Sequence, residues 1–203
     1  MGPIQFGAVI LAGGKSTRFG APKVLQSFRG TPFLFCITQP LLQAGVEHIA
    51  LVLGHEAEKL IPEVPGAENL QIIINQNYEA GQFSSIQAGL RGVPDSLAGV
   101  LLCLIDQPHI RSTTYRTVLD KARRMAEKIW IPTYRSRQGH PVWLPGWFLA
   151  EIKRQPIGIS LRDLLFRFSN EMEKVEVDDP GILEDMDTPE DLQRLEKEID
   201  RPC

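Results

Sequence analysis

Three short runs constrain this 203-residue chain more than any other feature. Gly7–Leu11, His48–Leu53 and Gly99–Ile105 are apolar almost without interruption, with no alternation of apolar and polar residues. A strand with one face in water alternates. A strand that is apolar throughout must be covered on both faces, and such strands belong to parallel sheets sandwiched between helices. Further runs over Gln71–Asn75, Ile129–Thr133, Pro141–Leu144 and Lys174–Val177 also read as strands. The amphipathic stretches between them read as helices over Phe33–Ala44, Glu56–Leu60, Ser84–Gly92, Thr113–Lys128, Trp147–Arg154, Leu161–Phe168 and Pro189–Ile199. The pattern predicts an α/β fold with a mainly parallel twisted sheet flanked by helices. No linker-like composition and no internal repeat divides the chain, so residues 1–203 read as one domain.

Charge narrows the choice of ligands. With 22 Lys+Arg against 25 Asp+Glu the net charge is −3, which argues against a general electrostatic binder of nucleic acid or membranes. Any anion must therefore be held by local groups. The longest apolar runs, Ala8–Ala12 and Val100–Ile105, fall well short of the roughly 20 residues of a membrane-spanning helix. No basic region precedes an apolar stretch at Met1-Gly2-Pro3-Ile4-Gln5-Phe6, so no export signal is expected. Cys36, Cys103 and Cys203 are odd in number and lack metal-ligand spacing, which indicates neither a disulfide framework nor a zinc site and fits a reducing, cytoplasmic compartment.

The strongest local signal follows directly on the first apolar run: Leu11-Ala12-Gly13-Gly14-Lys15-Ser16-Thr17-Arg18-Phe19-Gly20-Ala21-Pro22-Lys23. A glycine pair lets backbone amides approach a ligand closely, and successive amides in a turn form an anion-binding concavity. Arg18 and Lys23 add positive charge beside it, and ligands of open α/β sheets bind beyond the carboxyl ends of the strands. Gly14-Lys15-Ser16-Thr17 imitates the end of a Walker-type loop, but that motif needs a glycine five positions earlier, where Val9 stands. For the loop taken alone, an ordinary glycine-rich turn with solvated cations stays open.

The run resembles the LAGGxSxRxGxxK signature of the MobA-like NTP transferases, which include the molybdenum cofactor cytidylyl- and guanylyltransferases. Phe19 stands where many members have Met. Further segments are similar to that family in the order the family uses. Asn75–Leu90 contains Gly81, Ser84 and Ser85, serines that read equally well as helix N-caps. Leu101–Pro108 is an apolar strand ending in Asp106, a carboxylate that is costly there unless paired, solvated or bound to metal. Asp185-Met186-Asp187-Thr188-Pro189-Glu190-Asp191-Leu192 matches the family's closing segment, and Gly139-His140-Pro141 its Gly-His-Pro. Pro156–Leu165 matches only loosely.

The resemblance implies a three-layer, Rossmann-like nucleotidyltransferase fold of the GT-A-like type. It implies nucleotide binding by Leu11, Ala12, Gly13, Gly14, Lys23, Gly81, Ser84 and Ser85, and catalytic roles for Lys23, Arg18 and Asp106. Mg²⁺ would be held by Asp106 and Asp187, with Asp185 an alternate for the second and a bare N-cap the competing role of Asp187. Gly139, His140 and Pro141 fall on the acceptor side. The implied reaction transfers a nucleotide from CTP to molybdopterin. Alternatives are GTP as donor, a sugar or polyol phosphate as acceptor, or an inactive nucleotide or cofactor carrier. A molybdoenzyme that receives the product would be the protein partner.

Overall fold

The computed structural model describes residues 5–67 and 69–198. Residues 1–4 of the N-terminal reading, Ile199 of the last expected helix and Cys203 lie outside that range.

The first half of the chain runs β1 (Phe6–Ala12), the short hairpin β2 (Ser27–Phe28) and β3 (Thr31–Pro32), α1 (Phe33–Gln43), β4 (His48–Leu53), α2 (Ala57–Leu60), β5 (Leu70–Ile74) and α3 (Gln82–Arg91). The second half runs β6 (Gly99–Leu104), α4 (Ser112–Arg124), β7 (Ile129–Tyr134), β8 (Arg137–Gln138), β9 (Val142–Pro145), α5 (Gly146–Arg154), α6 (Leu161–Arg167), β10 (Met172–Glu176) and α7 (Pro189–Glu198). The main sheet has the order β10-β7-β9-β6-β1-β4-β5, with β8 paired to β7. β1 pairs in parallel with β4 and β6, β4 with β5, and β10 with β7. Only β8 and β9 run antiparallel to their neighbours in this sheet.

The uninterrupted apolar strands have the expected cause. Along β1, Ala8 and Ile10 join the core under α1 and α4, while Val9 and Leu11 join the core under α3 and α5. Alternate side chains thus leave the same strand toward two helical layers. These make three layers, an α/β architecture with a mostly parallel mixed sheet.

Strand order also fixes where a ligand fits. From β1 the chain builds outward through β4 and β5, then crosses back to place β6 on the other side of β1. The order reverses between β1 and β6, so the loops after these two strands diverge and leave a crevice at their carboxyl ends. No described helix is long and apolar enough to cross a membrane. Cys103 is free and buried.

Candidate active site

A cleft of about 370 Å³ opens at that crevice. Its floor is the end of β1 and the glycine loop, Leu11 to Arg18, and its sides are Lys23, Tyr78, Gly81, Gln82, Ser85, Leu104–Asp106 and Asp187. The loop turns sharply because Ser16 takes a left-handed conformation (φ 48°), its carbonyl accepting from the amides of Phe19 and Gly20. Gly13 passes so near α3 that a Cβ there would lie 3.1 Å from Ser85 Oγ.

Four charged groups converge in the cleft. Lys23 Nζ is 2.7 Å from Asp187 Oδ1 and 3.2 Å from Asp106 Oδ2, and Arg18 reaches the other oxygen of Asp187 at 2.8 Å. The Lys23 side chain is only 10% exposed and that of Arg18 is 72% exposed, so the lysine head group lies deep and that of the arginine reaches toward solvent. Burial pushes the Asp106 pKa up, against the pull of Lys23, and the charge of Asp185 adds to the rise. The hydrogen bond from Lys23 holds Asp187 below the usual carboxylate range, helped by the charges of Lys23 and Arg18.

Asp187 is not an N-cap. Thr188 caps α7: the amide of Asp191 donates to Thr188 Oγ1 at 3.2 Å, and Asp191 Oδ2 accepts from the Thr188 amide at 2.9 Å. That reciprocal pair leaves both oxygens of Asp187 turned to the cleft cations. Asp185 faces elsewhere, its Oδ1 accepting from Gln107 Nε2 at 2.8 Å.

The donor set suits a hard divalent cation. Asp106 Oδ1 is buried with no hydrogen-bond partner among the described residues, and two carboxylates already share one cationic group. No described cluster of three His, Cys, Asp or Glu forms a closed metal cage. Mg²⁺ and similar ions commonly take one or two protein carboxylates and complete their shell with phosphate oxygens and water.

The MobA-like NTP transferase domain family, taken as a whole, matches residues 8–172. The chain belongs to this family. Among curated proteins, bifunctional protein GlmU of Aquifex aeolicus is 32% identical over 113 residues, which are 55% of this chain and 24% of that protein. The chain spans about a quarter of the length of the curated relatives it matches. Rv0371c from Mycobacterium tuberculosis H37Rv superposes with a TM-score of 0.81 at 28% identity, covering 97% of this chain and 100% of that one. A structure of Rv0371C in complex with manganese, from the same organism, gives a TM-score of 0.75 at 26% identity over 96% and 98% of the two chains.

The remaining expected residues of the MobA-like site divide. Gly81 lines the cleft with φ 97°, a conformation that favours glycine, and it is Gly81, not Ser84 or Ser85, that occupies the N-cap of α3. Helix α3 starts at Gln82, two residues earlier than the serines suggest, so both lie inside its first turns. Ser84 is buried and turned inward, its hydroxyl 2.7 Å from Gly81 O and 2.8 Å from Asn77 O, and it does not reach the cleft. Asn75 donates to both serine hydroxyls at 2.9 and 3.0 Å, which leaves Ser85 in the cleft wall.

Gly139, His140 and Pro141 lie outside the cleft lining. A Cβ on Gly139 would meet Ile182 O at 2.1 Å, so this segment is pressed against the turn that leads to Asp185 and Asp187. Burial lowers the His140 pKa to about 4, and the ring is neutral near neutral pH. Lys15 and Tyr78 are among the cleft residues that the sequence reading did not assign to the site. Lys15 pairs with Glu79 at 2.9 Å and lies 5.9 Å from the centre of the Tyr78 ring, and Tyr78 is 3.3 Å from His55 Nδ1. Position beside the glycine pair was the only signal for Lys15, and nothing local marked Tyr78.

Proposed function

We propose that this chain is a Mg²⁺-dependent nucleotidyltransferase that moves CMP from CTP to molybdopterin and releases pyrophosphate. The observation that carries this reading is the convergence of Lys23, Asp106 and Asp187 on one cleft floored by a glycine loop. The manganese bound by Rv0371C, a protein of 26% identity, supports a divalent metal. Family membership over residues 8–172 supports a nucleoside triphosphate as donor.

In this reaction an oxygen of the acceptor's terminal phosphate attacks the α-phosphorus, the bond from that phosphorus to the β-phosphate oxygen breaks, and pyrophosphate leaves. Such chemistry asks for in-line positioning and neutralisation of developing charge more than for a general base. The amides around Ala12, Gly13 and Gly14 cradle the triphosphate, while Lys23 and Arg18 stabilise negative charge on the departing pyrophosphate. Gly81 and Ser85 border the nucleotide. Asp106 and Asp187 would hold the metal, which when bound would supply further neutralisation of phosphate oxygens. Gly139, His140 and Pro141 bound the acceptor side, with neutral His140 able to donate or accept one hydrogen bond. A substrate that is a cellular nucleoside triphosphate supports a cytoplasmic location, and one shared sheet supports a single functional domain.

The test is pyrophosphate release with CTP or GTP, Mg²⁺, and molybdopterin or a sugar phosphate as acceptor. Release with CTP and molybdopterin is expected. Preference for GTP or for a sugar phosphate would reassign base or acceptor, and no release with any pair would overturn the enzymatic reading.

A further inference from the structure

Asp106 and Asp187 come from distant parts of the chain, one just after β6 and the other just before α7. Neither carboxylate sits on a helix or strand. Like charges that converge on one cation repel one another when it leaves, so their spacing must be fixed by other contacts. Two ties cross between the segments. The Met186 amide donates to Asp106 O at 2.8 Å, and Gln107 Nε2 donates to Asp185 Oδ1, also at 2.8 Å. Met186, between the two aspartates, is fully buried.

Gln107 is an odd choice for stability alone. It is 3% exposed, and its Oε1 is buried with no hydrogen-bond partner among the described residues. A hydrogen bond to a charged acceptor stabilises, and an unsatisfied buried acceptor costs a similar amount, so the two nearly offset. What the amide adds is geometry.

We propose that Gln107 and Asp185 form a strut that sets the separation of Asp106 and Asp187. Gln107 is then a positioning residue for the divalent cation, and Asp185 is its anchor, not the second ligand. The inference deepens the nucleotidyltransferase reading and rests on its carboxylate pair.

The test measures Mn²⁺ affinity of the full chain by the EPR signal of free Mn²⁺, with and without CTP, beside pyrophosphate release. Gln107→Met keeps the side-chain length, removes the tie and removes the unsatisfied oxygen. It should weaken Mn²⁺ binding by about tenfold, the usual scale for outer partners of a metal site, and raise the KM for metal more than it lowers kcat. Asp185→Asn keeps an acceptor oxygen and should bind Mn²⁺ like the parent protein, whereas Asp185→Ala should match Gln107→Met. Because Asp185 is exposed, its variants test the same tie even where Gln107→Met misfolds. Parental Mn²⁺ affinity in Gln107→Met or in Asp185→Ala would overturn the strut. So would an Asp185→Asn protein as weak as Asp185→Ala, which would make that carboxylate a ligand. A parent that binds Mn²⁺ yet releases no pyrophosphate would remove the proposed reaction and leave the strut standing. A parent that takes up no Mn²⁺ even with CTP would remove the strut.

Discussion

At the scale of single residues, Lys23 is the pivot. It donates to both carboxylates, and Arg18 supplies the second positive charge, so the four groups balance one another. In the proposed reaction Asp106 and Asp187 would hold the divalent cation, which would leave Lys23 and Arg18 to neutralise phosphate. Asp106→Asn and Asp187→Asn should therefore lower kcat by about 10² or more, the scale of losing one charge-stabilising group. Nucleotide binding through the loop amides should survive, as equilibrium dialysis with CTP would show. Unchanged turnover in both variants would remove these carboxylates from the mechanism, and the carrier reading would gain ground if the parent itself has none. His140 gives a second residue-scale prediction. Its pKa falls from 6.5 in the unfolded chain to about 4 in the fold. Between those values the unfolded state binds the extra proton and the folded state does not, so stability rises with pH across that window and is lost on acidification. Burial lowers the His109 pKa in the same direction. Urea midpoints should drop between about pH 7 and about pH 5, and His140→Gln should flatten part of that slope. An equal slope in the variant would mean that His140 is not held neutral by the fold.

Elements differ in how legible they were. The apolar strands β1, β4 and β6 could be read almost to the residue because burial on both faces leaves no polar position to misplace. The short β2–β3 and β7–β8 pairings could not. The β7–β8 turn runs through Arg135 and Ser136 with φ of 48° and 65°, left-handed positions where a sequence reader looks for Gly or Asn. The glycine loop, Lys23 and Asp106 were legible as motif residues. Which of Asp185 and Asp187 faces the cleft cations was not, because that depends on the Thr188–Asp191 cap and on Gln107, both contacts across a turn or across the chain. Helix α3 offers a prediction whose sign depends on magnitudes. On an open helix surface, Gly→Ala stabilises by about 1 kcal/mol. At Gly89, however, a Cβ would lie 2.4 Å from Val9 Cγ1 and 2.8 Å from Val52 Cγ2. Overpacking of that kind costs about 1–3 kcal/mol. Gly89→Ala should therefore be neutral to destabilising by up to about 2 kcal/mol in chemical denaturation. A more stable variant would show that α3 stands farther from the sheet.

For the whole molecule, the cleft belongs to no single element. The loop after β1, the turn before α3, the end of β6 and the segment before α7 all reach it, and the last of these lies beyond the residues matched by the family. The segment returns to the cleft because Ile182, Met186 and Leu195 bury into the same core as β1 and α1. Closing one ligand over four distant parts of the chain ties its binding to global unfolding. At a nucleotide concentration about 100 times its Kd, linkage adds about 2.7 kcal/mol to stability. For a chain of this length each kcal/mol is worth about 2–4 °C, so Tm should rise by about 5–10 °C with CTP and Mg²⁺. CTP alone should give a smaller rise through the loop amides, Lys23 and Arg18. In Asp187→Asn the increment from CTP alone should persist and the further increment from Mg²⁺ should vanish, because that second step requires both carboxylates. Differential scanning calorimetry of the two proteins, with and without each ligand, measures the four shifts. An undiminished Mg²⁺ increment in Asp187→Asn would mean that the C-terminal segment closes the cleft without holding the metal.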